Sequence, residues 1–164
     1  MRRADDEEFA DFVQGSSARL LRTAWLLCGD PVHAEELVQA ALERVYLKWG
    51  RIRDGEPLAY TRRVVVNLHV DHLRRARRER LTDAVPEHAA AAIAGPEEGD
   101  YLQRLLRQLP LRERQVVVLR YYVGESEAQA AFTLGVSVGT VKSSASRGLA
   151  RLRALHAQEG SHVR

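Results

Sequence analysis

Residues 126–147, SEAQAAFTLGVSVGTVKSSASR, constrain the fold more tightly than any other stretch of the chain. Ser126 with Gln129 three residues later is a capping box, which starts a helix by satisfying backbone donors reciprocally. Ala128, Ala131, Phe132 and Leu134 give that helix a small apolar inner side. Gly135 breaks it where the chain must enter a left-handed turn, a conformation that glycine takes cheaply. Ser137 caps a second helix, with a buried stripe predicted at Val138, Val141, Ala145, Leu149 and Leu152. The opposite face carries Thr140, Lys142, Ser143, Ser146, Arg147 and Arg151, hydroxyls and cations with almost no acid. Small residues such as Ala131 let two helices cross closely at a steep angle. The whole is the pattern of a DNA-reading helix-turn-helix.

The rest of the chain is compatible with helices and with little else. Aromatic residues are sparse, so a core must rest on Leu, Val and Ala. Alternating strand patterns are absent, and Asp54-Gly55 lies between helical segments rather than strand-like runs. No apolar run is long enough for a membrane span, and the start Asp5-Asp6-Glu7-Glu8 does not resemble a secretory signal. A lone cysteine, Cys28, excludes an internal disulfide and fits a reducing cytoplasm. Its neighbours Trp25, Leu26 and Leu27 mark it as a small buried hydrophobe.

Charge divides the chain into blocks. Residues 1–50 carry nine acids against six bases, and residues 51–80 nine arginines against four acids. Residues 81–100 hold five acids and no base, and residues 138–164 five bases and one acid. Two basic segments separated by an acidic one predict two separate contacts with a polyanion.

Three helical stretches are predicted in the first half. One covers residues 5–28, with a break or kink at Gly15-Ser16-Ser17. Asp30-Pro31, a cap followed by a first-turn proline, opens the next, which runs to about Trp49 with Ala34, Leu37, Val38, Ala41, Leu42, Val45 and Tyr46 on its buried face. A third runs from Pro57 to about Arg80 on a stripe of Leu58, Val64, Val65, Leu68 and Leu73. Residues 82–100 read as a flexible acidic linker, in which Ala89–Ala92 is too short a helix former to persist alone. A helix from Tyr101 to Leu109 and another opened by Pro110 precede the helix-turn-helix.

Two constellations besides the helix-turn-helix bear on chemistry. Arg62, Arg63, Arg74, Arg75, Arg77 and Arg78 surround Asn67, Asp71 and His72. Arginine forks suit phosphates and an Asn suits a base edge, yet a solvated helix face with a basic tail has the same composition. Glu35, Glu36, Gln39 and Glu43 line a polar side that suits either water or a basic partner. His69 and His72 lack the companions of a zinc set. No catalytic motif, cofactor loop or metal signature is present, so neither an enzyme nor a cofactor is expected.

Taken together, three segments resemble the extracytoplasmic-function (ECF) sigma factors of the sigma-70 family, bacterial initiation subunits of RNA polymerase, and among them the SigE-like actinobacterial type. LCGDPVHAEELVQAAL (27–42) is similar to the family's polymerase-binding segment, AYTRRVVVNLHVDHLRR (59–75) to the segment that opens and reads the -10 promoter element, and residues 106–153 to the domain that reads the -35 element. The resemblance implies an all-α protein of two small helical domains. Residues 1–81 form the sigma region 2 bundle, 82–100 the flexible linker, 101–157 the region 4 helix-turn-helix and 158–164 a tail. It implies core RNA polymerase binding through Glu35, Glu36, Leu37, Val38, Gln39 and Glu43. The -10 strand is assigned to Arg62, Arg63, Asn67, Asp71, Arg74, Arg75, Arg77 and Arg78, with Asn67 holding a flipped base. The -35 duplex is assigned to Ser137, Thr140, Lys142, Ser143, Ser146, Arg147 and Arg151. An anti-sigma factor is a further implied partner, and the location is cytoplasmic without membrane insertion. The alternative is a helix-turn-helix regulator that acts without polymerase. Four positions depart from the family pattern: Gln129 stands where an acid is frequent, though the capping logic survives, and Ser144 and Ala145 replace a longer polar or branched pair, which bears on promoter preference. Gly148 stands where Ala is common and is expected to loosen its helix by about 0.5–1 kcal/mol.

Overall fold

The computed structural model describes residues 3–82 and 97–162, all helical or in short connections, with no strand among the described residues. Most of the predicted linker, residues 83–96 with Ala89–Ala92, lies outside the described residues, and Thr82 and residues 97–100 at its ends belong to helices. The chain divides into two compact units, one of Met1–Ala24 with Asp30–Ala92 and one of Trp25–Gly29 with Ile93–Arg164. No described helix is long and apolar enough to cross a membrane.

The first unit is built on α1 (Arg3–Cys28), α2 (Pro31–Leu47), the single turn α3 (Trp49–Ile52) and α4 (Pro57–Thr82). The predicted break at Gly15-Ser16-Ser17 is absent, because α1 runs through it. Ser16 is buried, and the Ser17 hydroxyl donates to the Val13 carbonyl at 2.6 Å, so Ser17 is satisfied within the helix. Asp30 opens α2 as read from the sequence: its carboxylate accepts from the Val32 and His33 amides at 3.0 and 3.4 Å, ahead of Pro31. Ala34, Leu37, Val38, Ala41, Leu42 and Val45 are buried, whereas Tyr46 is partly exposed and its hydroxyl donates to Asp6 at 3.0 Å. Phe9, Phe12 and Tyr46 gather around buried Trp49, with the Phe9 and Phe12 rings each 5.1 Å from the indole. Arg53 ties this end together through Asp5 and Glu8.

Helix α4 turns a different stripe inward from the one predicted. Val65 and Leu68 are buried, but with Thr61, Val66 and His69, while Leu73 is exposed. The Thr61 hydroxyl donates to the Pro57 carbonyl at 2.7 Å, which makes its burial inexpensive. From Asp71 to Leu81 every residue except Ala76 is exposed, so the second half of α4 is a bare basic helix.

The second unit contains α5 (Glu97–Arg107), α6 (Leu111–Val117), a π-helical segment (Val118–Val123), α7 (Glu127–Leu134) and α8 (Val138–Ser161). The Arg114 guanidinium donates to the Leu106, Arg107 and Leu109 carbonyls at 3.0, 3.3 and 3.2 Å, capping the end of α5. Val116, Leu119, Ala130, Ala131, Val141 and Ala145 form the core, with Val123, Leu134 and Val136 packed against it.

Two predicted faces are rotated. In α7 the inner residues are Ala130, Ala131 and Thr133; Ala128 is exposed and Phe132 is 60% exposed. Thr133 turns in because its hydroxyl donates to the buried Glu125 carboxylate, at 3.3 and 3.1 Å from the two oxygens. In α8 the buried positions are Val141, Ser144, Ala145 and Gly148, with Leu149 and Leu152 half-buried and Val138 partly exposed. A β-carbon at Gly148 would stand 2.8 Å from Val117 Cγ2 and 3.4 Å from the Glu113 carbonyl oxygen. Gly148 is therefore where α8 crosses α6. Ser144 and Ala145 face the core as well and are not on the exposed face of α8.

Candidate nucleic-acid interface

The helix-turn-helix is assembled from its caps. Ser126 Oγ accepts from the Gln129 amide at 3.1 Å, and Gln129 Oε1 accepts from the Ser126 amide at 2.8 Å. Gly135 takes φ 65° and ψ 36°, and the Val136 amide donates back to the Ala131 carbonyl at 3.0 Å, which ends α7. Ser137 Oγ then accepts from the Thr140 amide at 3.1 Å and starts α8. Lys142, Ser143, Ser146, Arg147 and Arg151 are exposed along α8, with Ser137 exposed and Thr140 half-buried at its start. The Ser137 and Thr140 hydroxyls lie 2.9 Å apart, and Ser143 Oγ donates to the Thr140 carbonyl at 3.2 Å. Lys142 Nζ is 4.0 Å from Glu127, and Arg147 and Arg151 both meet Glu113. The Lys142–Glu127 pair is partly exposed on both sides and holds little energy, whereas Glu113 is buried and only its two arginines are exposed, at 60% and 56%.

In the first unit, Asn67, Asp71, Arg74, Arg75, Arg77 and Arg78 are exposed and Arg62 and Arg63 half-buried. Helical spacing puts positions 63, 67, 74 and 78 on one face, opposite Thr61, Val65 and Leu68. Arg74 is 4.0 Å from Asp71, one turn back. On α2, Glu35, Glu36, Gln39 and Glu43 are exposed, and Gln39 Nε2 donates to Glu43 at 3.5 Å. Leu37 and Val38 are 5% and 4% exposed, so these two side chains support the surface from beneath and do not form it.

The chain matches two family models in this order. The model for Sigma-70 region 2 matches residues 4–79, and that for Sigma-70, region 4 matches residues 99–152. The RNA polymerase sigma-E factor of Streptomyces coelicolor is 38% identical over 157 residues, covering 89% of this chain and 84% of that protein. The ECF RNA polymerase sigma factor SigM of Mycobacterium tuberculosis is 36% identical, covering 92% of this chain and 78% of that one. The chain belongs to the ECF sigma factors. Among solved structures, the sigma factor RpoE in its co-crystal with the anti-sigma factor NepR from Bartonella quintana is 27% identical with a TM-score of 0.72, over 90% of this chain and 97% of that one.

Several surface features of this sigma factor escape a reading by composition. Val32 and Leu47, the latter 82% exposed, share the outer face of α2 with Glu36, Gln39 and Glu43. Their spacing of three and four residues was the signal that places them there. They give an acidic surface two apolar ends. Glu113 and Glu127, which meet the cations of α8, lie outside that helix and leave no trace in its periodicity.

Three histidines of the first unit, His33, His69 and His72, lie together, and no group of three or more His, Cys, Asp or Glu that could hold an ion occurs among the described residues. The His33 and His72 rings meet at a tilt of 40° with 4.0 Å between centroids, buried His69 lies 6.2 Å from His33, and His33 Nδ1 is 3.5 Å from Glu36. Partial burial, then His33 and Arg75, push the His72 pKa below its ordinary value, against the weaker pull of Glu36 and Glu79. An imidazole that resists protonation in the fold but accepts it freely when unfolded destabilises the fold in acid. Stability is therefore expected to be full above the ordinary histidine range, about pH 6.5, and to fall as pH drops through it. Thermal melting from about pH 7.5 to 5.5 checks this, with a shallower fall expected in His72→Gln.

Proposed function

We propose that this ECF sigma factor directs promoter-specific initiation by docking core RNA polymerase on the outer face of α2, capturing the -10 strand on α4 and reading the -35 duplex with α8. The observation that carries the reading is an exposed basic helix face on each unit, together with an acidic face on α2 of the first unit. A regulator acting on duplex DNA alone needs the second unit and has no use for the first.

In this reading residues 1–81 serve polymerase and the -10 element, residues 101–157 serve the -35 element, and residues 82–100 link them. Glu35, Glu36, Gln39 and Glu43 meet a basic surface of core polymerase, flanked by Val32 and Leu47. Asn67 takes a flipped base, and Arg63, Arg74 and Arg78 on the same side, with Arg62, Arg75 and Arg77 on its flanks, follow the phosphates. Unstacking a base costs a few kcal/mol, which a fitted pocket must recover. Lys142, Ser143, Ser146, Arg147 and Arg151 face the major groove, and Ser137 and Thr140 approach the backbone where α8 begins. The protein works in the cytoplasm, where polymerase and genome are, and an anti-sigma factor of the kind that binds Bartonella RpoE is a fitting regulator.

Asn67→Ala is expected to depress open-complex formation at least tenfold while leaving binding to a -35 duplex unchanged, about the value of one good bidentate base contact. Permanganate footprinting and duplex binding by the holoenzyme separate the two steps, and an equal loss in both removes Asn67 from strand capture. Retention of core polymerase on the tagged chain distinguishes this function from that of a free-standing regulator.

A further inference from the structure

Glu113 stands on α6, outside the helix that faces DNA, and it is 5% exposed. A carboxylate so far from water persists only when paired. Its Oε2 lies 2.9 Å from Nε of Arg151 and its Oε1 3.6 Å from Nε of Arg147. The two arginines are four residues apart on α8, hence neighbours on one side, and their side chains are 60% and 56% exposed. One anion thus faces two cations and leaves a unit of positive charge in excess. In both pairs the nitrogen that approaches the carboxylate is Nε, a contact of charge in which Glu113 Oε2 makes no hydrogen bond, while the terminal nitrogens are the ones that fork onto a phosphate.

Gly148, between the two arginines, is what permits this arrangement. A β-carbon there would stand 3.4 Å from Glu113 Cβ as well as 2.8 Å from Val117, so any side chain would push α6 and its carboxylate away.

We propose that Glu113 is a positioning residue for promoter binding: its buried carboxylate fixes the Nε edges of Arg147 and Arg151 so that their terminal nitrogens stand ready for the phosphates of the -35 duplex. The proposal rests on the reading of α8 as the DNA-facing helix. It makes an unusual demand on sign. Removing an acid from a DNA-binding surface strengthens binding if charge alone acts. Here removal frees two long side chains that must then be ordered on the DNA, and binding weakens.

The test uses holoenzyme assembled from core polymerase and the full chain, binding a duplex that carries the -35 element at several salt concentrations. Glu113→Gln is expected to lose about tenfold in affinity at fixed salt, the ordering cost of two side chains. Glu113→Asp should recover part of that loss. Neither substitution should have any further effect in a chain that already carries Arg147→Ala and Arg151→Ala. Equal or tighter binding by Glu113→Gln overturns the proposal, as does an undiminished loss in the arginine-free background, which marks a role in the fold alone. Should Glu113→Gln melt below the assay temperature, Glu113→Asp carries the same comparison against that background. Full affinity in the chain lacking both arginines overturns instead the placement of α8 on DNA, and the proposal with it.

Discussion

Gly148→Val is expected to lower the stability of the second unit by about 2 kcal/mol, within the range of small-to-large changes in a close-packed core. The β-carbon alone would meet Val117 Cγ2 at 2.8 Å, and Val117 is itself β-branched and buried, so it has little rotamer freedom with which to yield. On an open helix the sign reverses. Gly15 in α1 has nothing within 4 Å of its would-be β-carbon, so Gly15→Ala should stabilise by about 0.5–1 kcal/mol through helix propensity. Urea unfolding of the two variants compares them directly; equal effects would mean that the crossing of α6 and α8 is looser than 2.8 Å implies. Gly148→Val should also weaken promoter binding, because it carries Glu113 away from its arginines.

Replacing Arg74, Arg75, Arg77 and Arg78 together by Gln is expected to cost about a thousandfold in promoter affinity near 0.1 M salt. Each phosphate contact contributes about 0.7–0.9 to the slope of log affinity against log salt, so four contribute about 3, and 0.1 M is one decade below the 1 M reference. The fold should not register the change. All four side chains are exposed on the second half of α4, and substitutions of that kind stay within about 0.5 kcal/mol each. Holoenzyme binding at several salt concentrations, with the melting temperature alongside, measures both. An unchanged slope would remove this helix end from the DNA.

Local chemistry was legible in the sequence and distant chemistry was not. Asp30-Pro31, Ser126 with Gln129, Gly135 and Ser137 announce helix ends because a cap is made by residues two or three apart, and each forms as read. Gly15-Ser16-Ser17 misled because it has the composition of a break, while burial of Ser16 and the bond from Ser17 to Val13 keep the helix intact. The inner face of α7 was misjudged by weighing Phe132 above Thr133. Hydrophobicity favours the aromatic, but the buried Glu125 carboxylate draws the threonine in. Gly148 and Ser144 could be read only as departures from the family pattern, because small residues carry no hydrophobic signal; both are buried, and Gly148 lies where α8 meets Val117 and Glu113 of α6. For the sites, the arginines of α4 and the outward residues of α8 could be found by type and spacing. The acids that meet the cations of α8, Glu113 and Glu127, lie on other helices and become visible only in three dimensions.

The wide helical turn at Val118–Val123 has a consequence of its own. Its Leu119 carbonyl receives the amides of Gly124 and of Glu125, the latter at 2.9 Å, so the chain here holds more residues than an ordinary α turn would take up. Val118 and Leu119 point inward while Tyr121 and Tyr122 point out. Excising one residue would rotate everything beyond it by about 100°, turning an aromatic inward and re-aiming the elements that follow. The count of residues in this segment is accordingly under stricter constraint than their identity: most single replacements there change a side chain, whereas a single excision changes a direction.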